Sequence, residues 1–281
     1  MPLSRNDFSV PKILKISDDE YFSIGKVSYF DNEKLVLSAS TLKEIYKRDA
    51  YEVLIKENKA EISKELQYIF DVGSAFHCYI LENDEFEKRY YIGEMKNDFN
   101  DVKRTFIHTE DFAFIKGAYE NIKIKYPYMV EPSEWNEVTI LTNINGVPYR
   151  AKLDKVVEVS DSLIEIIDLK SVFYDFYATK YKRDAESGIR WGLVKALQEN
   201  NYDLQGVLYV KAVKSWLEHN GISKDVRFKL LLASKKTFDV KMVTFGSEMM
   251  QNGENKLNQV LPEIQAFFHS GMEQIAQDEI I

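Results

Sequence analysis

Hydrophobic positions recur at helical spacing in the first third of the chain and at strand spacing in the middle. In TLKEIYKRDAYEVLIKE, Leu42, Ile45, Tyr46, Val53 and Leu54 fall on one side of a helix. That helix is expected to start near Ser40, with Thr41 and Glu44 as its capping box. A second helix is predicted over about 62–90, with Phe76, His77, Ile80 and Leu81 on a shared face. Gly73 is a poor helix former there and points to a close approach by a neighbour. Residues 93–111 are polar and turn-rich, which predicts a mobile surface loop. A helix over about 111–125 should stop before Pro127.

The pattern then changes. NEVTILTNI, GVPYRAKLDKVVEV and SLIEIIDLKSV are rich in Val, Ile and Leu and predict three strands of a meander. Asn145-Gly146 marks the first hairpin turn and Val159 to Ser162 the second. Helices are expected at about 189–199 and 203–219, the latter closed by Gly221. VRFKLLLAS and DVKMVTF read as two further strands, and a last helix spans about 246–270. Residues 1–37 suggest a short strand or hairpin plus loop, an extension before a core over about 38–245. With no repeat and no clear linker, residues 1–281 are expected to form a single α/β domain with a central mixed β-sheet flanked by helices.

Composition narrows the function class. A chain of 281 residues, 45% hydrophobic and 29% charged, can bury a real core. No apolar run approaches the roughly 18 residues of a membrane span, and the N-terminal stretch lacks the apolar segment of a signal peptide. Cys78 is the only cysteine, which excludes an internal disulfide, a zinc knuckle and a four-cysteine iron–sulfur cluster, and fits a cytoplasmic location. A phosphate-binding loop of the G-x-x-x-x-G-K-[ST] kind is missing, so ATP is not expected as a cofactor. The net charge of -8 speaks against nucleic acid as a partner, because phosphate contacts need basic surface. It is a sum over the chain, however. A basic groove can sit within an acidic exterior, and carboxylates that hold metal ions are counted in it.

The second hairpin carries the chemistry. A turn centred on Asp161 sets Asp154 opposite Asp168 and Lys152 opposite Lys170, and side-chain alternation then puts all four on one face. A slip of one residue in the turn would undo this. Adjacent carboxylates repel, and burying them unpaired is costly. A divalent cation such as Mg²⁺ or Mn²⁺ turns that cost into binding, and phosphodiester hydrolysis uses such a cation. The same short pattern also suits a solvated hairpin face.

The spacing Asp154 then Asp168-x-Lys170 resembles the motif of PD-(D/E)XK nucleases. Upstream, GSAFHCYILE is similar to the G-x-x-x-H helix of RecB-like and RecE-like members, and LSASTL is similar to their S-x-S-x-L opening. Downstream, Gln205-x-x-x-Tyr209 resembles their Q-x-x-x-Y motif, with i and i+4 on one helix face. Singly, these histidine, glutamine and tyrosine positions also suit ordinary packing. In this order, over about 38–210, they resemble the RecE-type phage recombination exonucleases.

The resemblance implies a restriction-endonuclease-like core. It also implies that His77, Asp154, Asp168 and the Leu169 backbone carbonyl hold one or two metal ions, that Lys170 is catalytic, and that Gln205 and Tyr209 support the site or touch the scissile strand. Glu137, where RecE-like sequences often carry a glutamate, is a further ligand or a solvent-facing strand end. The implied activity is metal-dependent exonuclease action on double-stranded DNA ends, 5′→3′. It would leave 3′ overhangs for a single-strand annealing protein, from a ring of three or four subunits. DNA contact is assigned to Lys152 and to Lys180, Lys182, Arg183 and Arg190, which alternate with Tyr177, Tyr181 and Trp191 after the catalytic strand. An endonuclease on the same core, or an inactive DNA-binding scaffold, are the rival expectations.

Overall fold

The computed structural model describes residues 8–24, 36–48, 50–54, 63–94, 103–173, 176, 193 and 197–278. Its centre is a six-stranded mixed sheet. In chain order the strands are β1 (Lys12–Leu14), β4 (Asn136–Ile144), β5 (Val147–Ser160), β6 (Leu163–Val172), β7 (Asp225–Ser234) and β8 (Val240–Thr244), adjacent in that same order. The pair β6–β7 is parallel and the others are antiparallel. The meander predicted from the hydrophobic runs is therefore β4–β5–β6. Its first turn is made by Asn145 and Gly146, both at positive φ (53° and 88°), as a two-residue hairpin requires.

Helices cover both faces. On one side lie α2 (Ala39–Lys47), α3 (Ala50–Leu54), α7 (Tyr202–His219) and α8 (Ser247–Asp278), packed on Ile164, Ile166, Phe228, Leu230 and Leu232. On the other lie α4 (Lys64–Leu81) and α6 (Thr109–Lys125), packed on Ile167, Leu169, Leu231 and Ala233. Strands β6 and β7 are thus buried on both faces, which is why they read as continuous apolar runs. Each is flanked by a strand on either side, so their backbone polar groups are paired within the sheet.

Several elements differ from the sequence expectation. The N-cap of α2 is Ser38, whose hydroxyl accepts from the Thr41 amide, so Thr41 lies in the first turn instead of capping it. The long second helix is two: α4 ends at Leu81, and α5 (Asn83–Arg89) follows after Glu82. The stretch expected to be loop contains a strand, because Thr105–His108 (β3) pairs in parallel with Tyr90–Gly93 (β2). A helix, α1 (Asp18–Ser23), stands within the expected N-terminal extension, closed by a Ser17–Glu20 capping box. The helix expected over 189–199 lies mostly outside the described residues. Helix α8 runs on to Asp278, with Pro262 inside it.

Helix α7 is gripped by α8 at Gly253. A Cβ there would come within 2.2 Å of the Asp203 backbone oxygen and 2.5 Å of its carbon, so nothing larger than glycine fits without a shift. Beside it, Lys256 Nζ donates to the carbonyl of Gln198 and to side-chain oxygens of Asn201 and Asp203, at 2.8–2.9 Å. Gly253→Ala is expected to lower stability by about 1–3 kcal/mol, the range of an overpacked contact. Urea unfolding checks this, and a loss below about 0.5 kcal/mol would mean the helices slide apart freely.

Candidate metal centre and active-site cleft

The site forms where β5 and β6 part. Their pairing starts at Ser160↔Leu163, shifts register between Ser160 and Glu158, runs regularly from Glu158↔Ile164 to Lys155↔Ile167 and ends there. Beyond it, Asp154 Oδ2 takes the Leu169 amide at 2.6 Å, so a side chain substitutes for a ladder bond. A matching irregularity lies on the other edge of β5. Asn136 and Val138 pair with Lys155 and Leu153, while Glu137 between them has a left-handed backbone (φ 51°), an unfavourable conformation for a glutamate. Leu153 and Val156, three residues apart, both pack in the core under α7, so β5 rotates between them. The simple one-face hairpin is corrected on this point. The assumed register holds up to Lys155, but the strands then open, and Asp154 occupies the seam between them.

Both helical layers reach this seam. From α4, His77 Nδ1 stands 3.3 Å from Asp154 Oδ1 and 3.9 Å from Glu137 Oε1. From α7, Gln205 Nε2 donates to Asp168 Oδ1 at 2.8 Å. Lys170 Nζ lies 2.5 Å from Asp168 Oδ2 and also donates to the Leu169 carbonyl at 3.1 Å. Lys152 Nζ is 2.5 Å from Glu137 Oε2. His77, Glu137, Lys152, Asp154, Asp168 and Lys170 all line a cleft of about 490 Å³, and Tyr209 closes its floor. Gly73 also lines it, and among the described residues no atom lies within 4 Å of where a Cβ would stand, so they hold no close neighbour of the kind expected there. Ile69 and Phe70, 55% and 50% exposed, form an apolar lip on the same helix.

Ligand atoms of His77, Glu137 and Asp154 lie within 4.8 Å of one another. Glu137 Oε1 is buried and has no hydrogen-bond partner among the described residues. An acceptor oxygen left bare beside a second carboxylate and an imidazole is what a divalent cation would satisfy, so the donor set fits one. Asp168 stands next to this group, engaged by Lys170 and Gln205, and the Leu169 carbonyl is engaged by Lys170.

The electrostatics follow from burial and neighbours. Burial pulls the His77 imidazole down, but Asp154 and Glu137 outweigh it and push it up to about 10. Burial raises Asp154, yet His77 above all, with Lys170 and the Leu169 amide, brings it down to about 2. Burial lifts the Asp168 carboxyl, with Asp154 adding to the lift, while burial opposes the Lys170 charge and Asp168 and Asp154 restore it. The pair is held as an ion pair, with Lys170 raised by the two carboxylates and the Asp168 carboxylate also accepting from Gln205. Tyr209 is raised well above its ordinary value by burial and stays a neutral phenol.

A stability prediction arises from the His77–Asp154 pair. His77, raised from 6.5 to about 10, contributes fully below 6.5 and loses its contribution as pH rises through 10. Asp154, lowered from 3.8 to about 2, contributes above 3.8 and loses it as pH falls through 2. In the presence of a chelator, the stability difference between the native chain and His77→Gln is therefore expected to be largest between pH 3.8 and 6.5 and to shrink on either side. Thermal melts across pH check this. A difference independent of pH would remove the ion pair from the account.

Two residues at the site carry no motif signal. Lys43 on α2 donates to Gln205 Oε1 at 2.5 Å and lies 4.6 Å from the centre of the Tyr202 ring. The other side of the charge balance at Tyr202 is Lys170, 6.0 Å away. Burial and then the Lys170 charge bring Lys43 down to about 7. The clue available in sequence was that Lys43 directly follows the S-x-S-x-L opening and Tyr202 lies three residues before Gln205. Lys180, Lys182, Arg183 and Arg190, together with Tyr177, Tyr181 and Trp191, lie outside the described residues. Among the described residues, the lysines and arginines lining the cleft are Lys152, Lys170 and Arg89.

A family model described as a PDDEXK-like domain of unknown function (DUF3799) matches residues 38–275. A crystal structure described as a "putative exonuclease" from Eubacterium rectale is similar, with a TM-score of 0.56 at 18% identity, over 92% of this chain and 89% of that one. At this identity the likeness concerns the fold, and the mixed sheet flanked by helices is the fold expected from the sequence. No curated protein matches the chain.

Proposed function

The chain belongs to the PDDEXK-like domain family, and from that premise we propose that it is a metal-dependent deoxyribonuclease that hydrolyses phosphodiester bonds at the ends of double-stranded DNA. The observation that carries this reading is the convergence of His77 with the buried carboxylates Glu137 and Asp154 beside the Asp168–Lys170 pair, all opening on one cleft.

His77, Glu137 and Asp154, with Asp168 and the Leu169 carbonyl adjacent, are the groups that would hold Mg²⁺ or Mn²⁺. The ion supplies polarisation of the phosphoryl group and a hydroxide near neutral pH. Lys170 is held protonated, so its Nζ can orient the attacking water by donating to a lone pair and can offset charge that builds on the phosphate oxygens. Gln205 keeps the Asp168 carboxylate turned toward the cleft. Lys152 holds Glu137 by one oxygen, which leaves the other for the ion. The floor phenol of Tyr209, neutral at any working pH, offers a hydrogen-bond donor and no charge. At the rim, Ile69 and Phe70 give the cleft an apolar lip suited to the face of an unpaired base, which favours a frayed strand end over an intact duplex.

The resemblance to RecE-type exonucleases supports the finer reading: 5′→3′ digestion that leaves a 3′ single strand for an annealing protein, by a ring of three or four subunits. End-labelled linear duplex, with and without a 5′ phosphate, and a closed circle of the same sequence test it with Mg²⁺ or Mn²⁺. Release of nucleotides from the 5′ ends with the circle spared is the expected result. Cleavage of the circle would make it an endonuclease, and linear duplex left intact would leave a DNA-binding scaffold.

A further inference from the structure

An amide side chain presents a donor and an acceptor of nearly equal size, so its neighbours decide which end points where. At Gln205 the two ends are committed. Nε2 donates to Asp168 Oδ1 at 2.8 Å, and Oε1 accepts from Lys43 Nζ at 2.5 Å. An ammonium has only donors, so Lys43 can be satisfied by the oxygen end alone. Its own place is set by helix α2, whose first turn is tied by the Ser38 hydroxyl, and by the Tyr202 ring 4.6 Å away. A half-buried cation facing a neutral amide is a poor stabilising device, because an apolar side chain of the same length would pack there at lower cost. Its effect on the amide is what distinguishes it.

We propose that Lys43 is a positioning residue: by holding Gln205 Oε1 it keeps the Gln205 N–H turned to Asp168, and so fixes the carboxylate beside Lys170. Lys43 touches neither the cleft's ligand atoms nor Lys170's partner oxygen directly; it acts through Gln205. This rests on the nuclease reading of the cleft for its catalytic consequence, and on the amide geometry alone for its structural one.

The test uses the full chain with Lys43→Met, which matches the stem and removes the donor. With Mn²⁺ and linear duplex, kcat is expected to fall about 10-fold to 100-fold, the range for partners that orient a metal-site residue, with KM for DNA changed less than about 2-fold. In a Gln205→Ala background the same substitution should have no further effect, whereas a merely structural role would add its own loss. Independently of activity, hydrogen exchange of the Gln205 side-chain amide, followed by NMR, should be faster in the Lys43→Met chain. If the native chain cleaves DNA and Lys43→Met leaves kcat unchanged, or if the two losses add, the proposal is overturned while the nuclease reading stands. If the native chain cleaves no DNA, the nuclease reading fails and amide exchange alone decides, with equal rates overturning Lys43's role. Should Lys43→Met not fold, Lys43→Leu carries the same comparison.

Discussion

Asp168→Asn is expected to reduce cleavage of linear duplex by about 1,000-fold or more, with unfolding shifted only slightly. The expectation comes from the position of its two oxygens. Oδ2 is 2.5 Å from the catalytic candidate Lys170 and Oδ1 accepts from Gln205, so the carboxylate joins the metal group to the lysine. Asparagine keeps the shape and removes the charge that Lys170 meets and that a bound ion would use. Alanine is a less clean variant. It would leave the Lys170 ammonium buried without its counter-charge, at a cost of about 3–5 kcal/mol, so lost activity could reflect lost fold. Steady-state cleavage and a thermal melt of the same preparation decide. Activity within about 10-fold of the native chain would take Asp168 out of the chemistry.

Lys170→Met is the second large effect, and it separates two roles of one residue. In the metal-free protein Lys170 offsets the charge of Asp168 and, at longer range, of Asp154. Its removal leaves those buried carboxylates to repel each other, and stability is expected to fall by about 3–5 kcal/mol. A divalent ion is a better counter-charge than the lysine it replaces, so Mn²⁺ should restore most of that stability. It should not restore cleavage, which is expected to stay down by about 100-fold to 10,000-fold, because the ammonium donor held beside Asp168, the one placed to orient the water and meet charge at the phosphate, is then gone. Melting temperature with and without Mn²⁺, beside single-turnover cleavage, gives both readings. Mn²⁺ that rescued cleavage as well would show Lys170 to be a counter-ion only.

The strain at Glu137 belongs to the same economy of charge. A glutamate at φ 51° would be relieved by asparagine or glycine, yet its side chain supplies a buried carboxylate oxygen of the cleft without a hydrogen bond among the described residues; Asp168 Oδ2 is another, and it faces Lys170. Local distortion at that point aims an acceptor into the cleft. Glu137 and Asp154 face each other as the one unpaired step in an otherwise constant β4–β5 register, and the Asp154 side chain bridges to Leu169.

Much of this was legible in the chain. Hydrophobic runs gave the β4–β5–β6 meander and marked β7 and β8 as strands, while the pairing of β7 with β6 and β8 came only with the structure. Asn145-Gly146 gave its hairpin, since few other dipeptides take two positive φ angles. Spacing brought Asp154, Asp168 and Lys170 together, and periodicity put His77 and Gln205 on helices. Other features left no local trace. Strand β3 was hidden because four residues paired in parallel with β2 carry too short a pattern to stand out in a polar stretch. The break between α4 and α5 lies at Glu82, an ordinary helix former whose conformation there is set by packing.

Residue types and their order along the chain determined which elements form and which side chains carry charge, because periodicity and turn chemistry act over a few residues. The parting of β5 from β6, the reach of α4 and α7 into the same seam, and the link from Lys43 through Gln205 to Asp168 were decided only by tertiary structure. These contacts join residues 15 to 162 positions apart. Which end of an amide faces a carboxylate, or whether a side chain replaces a ladder bond, depends on neighbours that the local sequence does not contain.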